Sequence, residues 1–192
     1  MRTSETRRWA FAGAAAPKTL AATLALAVAA LAATACVPGP TTPLETGTTV
    51  EGLVTRVVDG DTIHVRLVDG RSEKVRLIGI DAPEDTERRD PFGAEATAFA
   101  RRELLAQRVW LETDAELRDR YGRLLAYVWT ASPPATVTPD AIRASMFDAR
   151  MLAEGYATLL TVPPNVRYVD ALRPLEDEAR RERRGLWGLP AD

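Results

Sequence analysis

The sequence contains almost none of the side chains that build thiol and imidazole sites. Cys36 is the only cysteine and His64 the only histidine among 192 residues. A lone cysteine cannot form an internal disulfide, and zinc sites built from several Cys and His ligands are excluded. A Ser-His-Asp triad would have to use His64, which lies on the polar face of a predicted strand, where a solvated histidine is the usual role. No glycine-rich phosphate-binding loop is present either, so carboxylate and guanidinium chemistry remains.

The chain is also poor in lysine, and its positive charge is almost entirely arginine. The formal net charge is −2, and the first 35 residues contribute mostly positive charge, so the remainder is more acidic than the whole. A general nucleic-acid coat would be basic. A protein of this charge that handles nucleic acid must therefore use a local positive site, with a metal ion as part of the charge.

Residues 1–35 have the features of an export signal, with arginines before an uncharged run and a small-residue cleavage site at Ala33-Thr34-Ala35. A membrane anchor is the alternative, but the run is short and alanine-rich against the roughly 20 strongly apolar residues of a span. Cys36 follows the cleavage site, so lipid attachment to Cys36 and plain secretion both stay open. Residues 36–47 are rich in Pro, Gly and Thr and are predicted to be a tether. We expect an exported protein, either secreted or lipid-anchored at the outer face of the cell membrane.

Residues 48–188 are predicted to form one domain, followed by a short tail at 189–192. Strand patterns occur over 50–58, 63–67, 75–80, 109–113 and 124–129, and helix patterns over 93–107, 142–154 and from Pro164 to about 184. Five short strands with three helices outside them suit an α+β fold, a five-stranded OB-fold barrel packed with three α-helices. The pattern alone does not exclude an open α+β sheet.

Acidic residues occur where two of the predicted strands begin or end. Asp59-Gly60-Asp61 forms a turn, and Asp81 ends the third strand. Two carboxylates that meet would repel unless a cation lay between them, and Ca²⁺ accepts two acids, a backbone carbonyl and waters. Asp59 either supports this site or only shapes its turn, since an isolated Asp-Gly-Asp is most often a polar turn.

Two arginines and one glutamate lie close to these acids in the sequence. Arg76 projects from the third strand, and Arg123 follows a tight turn. A guanidinium fork grips two phosphate oxygens, although a surface ion pair is the alternative for any single arginine. Glu84 lies three residues after Asp81 and is suited to accept a proton from an attacking water; otherwise it is a loop charge without a role.

Four segments together resemble one known family, that of thermonuclease (staphylococcal nuclease), over about residues 48–188. They are Val58-Asp59-Gly60-Asp61-Thr62, Arg76-Leu77-Ile78-Gly79-Ile80-Asp81-Ala82-Pro83-Glu84, Phe92-Gly93-Ala94-Glu95-Ala96 and Asp119-Arg120-Tyr121-Gly122-Arg123-Leu124-Leu125-Ala126-Tyr127. The resemblance implies an OB-fold barrel with three helices that hydrolyses DNA and RNA with Ca²⁺.

The resemblance also assigns roles to individual residues. It implies that Asp61 and Asp81 ligate calcium, with the carbonyl of Ala82 as a third ligand. It implies that Glu84 activates or orients the water, that Arg76 and Arg123 bind the scissile phosphate, and that Tyr121 lies near the bound nucleotide. Products with 3′-phosphates, a nucleic-acid substrate (DNA, RNA or both) and a monomer are expected, with membrane contact only through a lipid on Cys36.

The sequence departs from the family pattern in several places. Alanine stands at position 82 where the best-known member has threonine, and the loop from Glu84 to Phe92 is shorter. The segment 160–164 lacks the tyrosines that face the nucleotide base, so we expect weaker base stacking. Residues 132–145 are predicted to be an insertion. A non-catalytic OB-fold binding module and an envelope lipoprotein with a structural calcium site remain as alternatives to a nuclease.

Overall fold

The computed structural model describes residues 43–85 and 90–190. The predicted signal at 1–35, Cys36 and the first part of the tether lie outside the described residues. Residues 86–89 and 191–192 lie outside them as well.

The described residues form seven strands, five of which close into a barrel. The strands are β1 (Thr49–Val57), β2 (Thr62–Leu67), β3 (Ser72–Leu77), β4 (Ile80–Asp81), β5 (Arg108–Glu112), β6 (Leu124–Trp129) and β7 (Thr158–Leu159). The barrel order is β1-β2-β3-β6-β5, and only the β3–β6 pair is parallel. The closed barrel confirms the predicted five-stranded OB-type α+β fold, and the open sheet is wrong.

Alternation of apolar and polar residues explains how the barrel fills. On β2, Ile63 and Val65 are fully buried, whereas His64 between them lies at the surface. On β3, Val75 and Leu77 are likewise buried, whereas Lys74 is exposed. Because side chains alternate across a strand, one face of each strand supplies the core and the other faces outwards.

Four α-helices and one 3₁₀ helix surround the barrel in the described part of the chain, where three α-helices were predicted. They are α1 (Gly93–Leu104), α2 (Pro139–Ser145), α3 (Phe147–Ala153), α4 (Val169–Glu182) and the 3₁₀ helix Gly185–Gly188. The helix predicted over 142–154 is two helices, because Met146 is extended (φ −84°, ψ 122°) and forms a β-bridge with Trp129. None of the described helices is both long enough and apolar enough to span a membrane.

The strand predicted over 75–80 is also interrupted, and this interruption places the candidate site. Gly79 has φ +80°, a conformation that glycine adopts without steric cost. The chain therefore leaves the barrel after Leu77, and β4 pairs with β7, with Ile80 opposite Leu159 and Asp81 opposite Thr158. Asp81 is thereby carried to the edge of the barrel beside the start of β2.

Candidate functional site

Asp61 lies at the start of β2, in a turn that packs tightly against the segment after β4. Its Oδ2 accepts a hydrogen bond from the Ala82 N–H (2.9 Å), and its Oδ1 accepts one from the Thr62 hydroxyl (3.0 Å). Asp59 Oδ1 accepts the Asp61 N–H at 3.1 Å and so shapes the turn. A methyl group added at Gly60 would lie 2.5 Å from the Cβ of Ala82, so only glycine allows this approach. The turn and the Ala82 segment are therefore held together by the hydrogen bond from the Ala82 N–H to the Asp61 carboxylate and by the close approach at Gly60.

Arg76 joins the two acids that the sequence analysis singled out. It lies on β3 directly opposite Thr62. Its Nη1 donates to the carbonyls of Leu77 and Ile80, both at 2.9 Å. Its Nη2 lies 2.9 Å from Asp81 Oδ1 and 3.1 Å from Asp61 Oδ2. Asp61, Arg76 and Asp81 thus form one cluster, which we call the acid–arginine cluster.

The cluster is unevenly buried, and burial controls its electrostatics. The side chain of Asp61 is 8% exposed, whereas that of Asp81 is 59% exposed. Burial raises the pKa of Asp61 to about 7; Arg76 and the hydrogen bond from Ala82 lower this pKa, and the nearby charge of Asp59 raises it further. One arginine therefore does not compensate the buried carboxylate, and a second cation would stabilise its charged form.

The donor atoms at the cluster suit a hard cation. The carboxylates of Asp61 and Asp81 and the backbone carbonyl of Ala82 are all oxygens, the ligands that Ca²⁺ prefers. Within the described residues, no group of three or more His, Cys, Asp or Glu side chains could hold a metal ion. A cation at the cluster would therefore take part of its coordination from the backbone and from water.

Glu84 lies in a pocket beside the cluster. The pocket has a volume of about 470 Å³ and is lined by Asp81, Ala82, Glu84, Asp90 and Thr158 among others. Asp90 fixes the backbone of Glu84, because its Oδ2 accepts the Glu84 N–H (3.2 Å) and its own N–H donates to the Glu84 carbonyl (2.8 Å). Glu84 itself is exposed. Asp90 could not be singled out from the sequence, where its only signal was its place in the charged loop.

Arg123 and Tyr121 line a second pocket, of about 450 Å³, together with Arg76. Asp119 orients this turn: its Oδ2 accepts from Arg123 Nε at 2.6 Å, and its Oδ1 accepts the N–H groups of Tyr121 and Arg123. The ring of Tyr121 is 68% exposed, and its centroid lies 4.7 Å from the guanidinium carbon of Arg120 and 5.5 Å from that of Arg123. Asp119 belongs to a quoted sequence motif but was given no role there, although its spacing of four residues from Arg123 was a usable signal.

The wall of the second pocket includes aliphatic side chains from the loop after β7. Leu160 is 38% and Val162 54% exposed, and both line the pocket. Asn165 holds this loop, since its Oδ1 accepts the Glu116 N–H (2.7 Å) and its Nδ2 donates to the Glu116 carbonyl (3.0 Å). The pocket therefore combines cationic groups with an apolar wall, a combination suited to a molecule with an anionic part and a flat apolar part.

The predicted insertion 132–145 and the single histidine are not part of either pocket. The insertion forms a loop and α2, and Arg143 of α2 pairs with Glu178 of α4 at 2.8 Å. Neither pocket is lined by a residue of 132–145 or by His64. The structure thus brings Asp61, Arg76 and Asp81 into contact, with Ala82 and Glu84 on one side and Tyr121 and Arg123 on the other.

Comparison with known proteins covers the same region. The family model described as "Staphylococcal nuclease homologue" matches residues 74–188. A thermonuclease of Staphylococcus intermedius is 38% identical over 138 residues, which cover 70% of this chain and 74% of that protein. A thermonuclease of Staphylococcus hyicus is 36% identical over 137 residues, covering 70% and 73%. Endonuclease YncB of Bacillus subtilis is 32% identical over 137 residues, covering 69% and 59%.

Proposed function

Because this chain belongs to the staphylococcal nuclease family and is a nuclease, a hydrolase of nucleic acid, we propose that it is an exported enzyme that uses Ca²⁺ to cleave the phosphodiester bonds of DNA, RNA or both. The observation that carries the proposal is the acid–arginine cluster, in which Arg76 contacts both Asp61 and Asp81 and shares a pocket with Arg123. Few reactions other than phosphoryl transfer need carboxylates and paired guanidinium groups so close together.

We propose that Asp61, Asp81 and the carbonyl of Ala82 hold the Ca²⁺ ion. The set of oxygen donors and the raised pKa of the buried Asp61 carboxyl support this assignment. When bound, the ion supplies positive charge close to a phosphate oxygen and to the attacking water. Asp59 keeps Asp61 in position through the hydrogen bond to its N–H.

Glu84 is the proposed general base, which takes a proton from the attacking water at its carboxylate. Its exposure and its place in the pocket with Asp81 and Ala82 support this role. The contacts of Asp90 with the Glu84 backbone limit how far the glutamate can move. General base catalysis of this kind contributes typically about 10²–10⁴-fold in rate.

Arg76 and Arg123 are proposed to stabilise the negative charge that grows on the phosphate oxygens during attack. Within the described residues, Asp119 occupies the Nε of Arg123, and the two Nη atoms remain as donors for a phosphate. Arg76 Nη2 already contacts two acids, so it must exchange one contact for a phosphate oxygen. The contact with Asp81 is the one to exchange, because Asp81 is far more exposed than Asp61. Each well-placed donor is worth about 3–4 kcal/mol of transition-state stabilisation.

The remaining parts of the proposal rest on the resemblance to the family and on the sequence. Tyr121 would contact the bound nucleotide from its exposed position in the second pocket. Departure of the 5′-oxygen would leave 3′-phosphate products. Export is supported by the composition of residues 1–35, with Cys36 as the site of a lipid anchor or of plain cleavage.

The experiment that tests this proposal is cleavage of single-stranded DNA and RNA by the purified protein, with Ca²⁺ and with EGTA. We expect cleavage only with Ca²⁺, and a loss of about 100-fold or more in Glu84→Gln. Glu95→Gln is the matched control, because Glu95 is exposed on α1 and lines neither pocket. Equal rates for the two variants, or full activity in EGTA, would contradict the proposal.

A further inference from the structure

Three cationic or ionisable side chains form a row across the outer face of the barrel. Arg56 of β1 lies directly opposite His64 of β2, and His64 lies directly opposite Lys74 of β3. Opposite residues of antiparallel strands project to the same face, and the alternating neighbours Ile63 and Val75 point into the core. Arg56 and Lys74 are exposed, and His64 is partly exposed. We call these three residues the basic row.

The basic row has no neutralising partner within residues 43–85 and 90–190, where none of its side chains forms an ion pair. The three residues interact electrostatically. Burial lowers the pKa of His64, and the charges of Arg56 and Lys74 lower it further. Three other arginines near the barrel strands are paired with acids: Arg71 with Asp69, Arg108 with Glu51, and Arg118 with Glu73. Two cations held on either side of one strand repel each other, so a row without acids is unexpected in a protein of net negative charge.

The basic row lies next to the acid–arginine cluster. Thr62 and Arg76 are opposite each other on the same two strands, two residues along from His64 and Lys74. A step of two residues keeps the same face of the sheet and covers about 7 Å. A bound polynucleotide that extends from the cluster along this face of β2 and β3 therefore reaches the basic row after about 7 Å.

We propose that the basic row binds backbone phosphates of the substrate on one side of the cleaved bond, so that a single-stranded polynucleotide runs from the acid–arginine cluster across β1, β2 and β3. This inference rests on the proposed nuclease function and extends it to the substrate's length. Arg56 and Lys74 supply charge, and His64 supplies an N–H donor between them. Such contacts hold the backbone without reading bases, so the row favours longer strands over short ones whatever their sequence.

The test compares oligonucleotides of two to eight nucleotides as substrates for the purified protein. For the wild type we expect KM to fall as length increases, and for Arg56→Gln combined with Lys74→Gln we expect this gain to disappear. Loss of two single-strand phosphate contacts predicts a rise in KM of about tenfold at physiological salt and a log–log salt slope smaller by about 1.4. kcat, and all constants for the dinucleotide, should stay unchanged because a dinucleotide ends before the row.

The matched control is Arg173→Gln combined with Arg181→Gln, which removes the same charge from exposed positions of α4. If the double variant of the row keeps the length dependence and salt slope of this control, the inference is overturned while the nuclease function stands. If the wild type cleaves no oligonucleotide, the proposed function fails. Binding of the same oligonucleotides, measured by fluorescence anisotropy, then still tests whether the basic row binds phosphates. Weaker binding by the row variant than by the control supports the row, and equal binding overturns it.

Discussion

Asp148 on α3 is a buried acid outside the proposed chemistry, and it should make the stability of the protein depend on pH. It has no exposed surface. Its Oδ2 accepts the Val128 N–H at 2.9 Å, and its Oδ1 has no partner among the described residues. Burial raises the pKa of Asp148 to about 8, from an ordinary value of 3.8. The carboxyl group therefore keeps its proton in the folded protein at neutral pH and loses it on unfolding.

The direction of the effect follows from the number of bound protons. Between about pH 4 and pH 8 the folded state holds one proton more than the unfolded state, so the free energy of unfolding falls as pH rises. The contribution is complete below the unfolded pKa and is lost as pH passes the folded pKa. One pKa unit corresponds to about 1.4 kcal/mol, so the fall from pH 5 to pH 7 is about 3 kcal/mol at most.

Asp148→Asn isolates this contribution, because asparagine keeps an oxygen for the Val128 N–H but does not titrate. Denaturant unfolding at pH 5, 6, 7 and 8 gives the free energy of unfolding for the wild type and the variant. The free energy of unfolding should fall with pH in the wild type but not through this group in the variant. We therefore expect the difference, variant minus wild type, to increase by up to about 1.4 kcal/mol per pH unit between pH 5 and pH 7. Asp140→Asn is the control, since Asp140 is exposed on α2. A difference that stays constant with pH, or one that moves the opposite way, would refute the assignment of a buried protonated carboxyl.

Three further predictions concern the acid–arginine cluster and its surroundings. Gly60→Ala should lower the free energy of unfolding by about 1–3 kcal/mol, measured by denaturant unfolding, because its methyl group would meet the Cβ of Ala82 at 2.5 Å. Asp119→Asn should lower kcat by up to about 100-fold by releasing Arg123, with little change in the melting temperature; an unchanged kcat would contradict the role of Asp119. Arg76→Lys should lower kcat by about 10²–10³-fold in oligonucleotide cleavage, because lysine lacks the guanidinium fork, and a rate within a factor of about two of the wild type would exclude Arg76 from the chemistry.

Much of the fold could be predicted from the sequence because its signals are local. The alternation around Ile63 and Val65 defines β2, and the run before Trp129 defines β6. The division between α2 and α3 could not be predicted, because residues on both sides of Met146 form helices and only the bridge to Trp129 extends the chain there. The break at Gly79 was equally hidden, since the apolar residues before and after it fit one strand.

The residues of the candidate site were named from the sequence, but the contacts between their side chains could not be predicted. The sequence placed Asp61 and Asp81 at strand ends, yet the contact of Arg76 with both acids depends on the return of β4 to β7. The sequence showed only that tyrosines are missing from 160–164. It did not predict an apolar pocket wall, because the exposure of Leu160 and Val162 depends on the loop that Asn165 holds. The chemistry of these positions stays a prediction until variants are measured.

The calcium dependence of the single-turnover cleavage rate tests the proposed site most directly. Asp61→Asn is the informative variant, because the amide oxygen can still accept the Ala82 N–H while the negative charge is lost. We expect a saturable Ca²⁺ dependence in the wild type and a half-saturating concentration at least about tenfold higher in Asp61→Asn. The same Ca²⁺ curve for both proteins would show that the ion does not bind between Asp61 and Asp81.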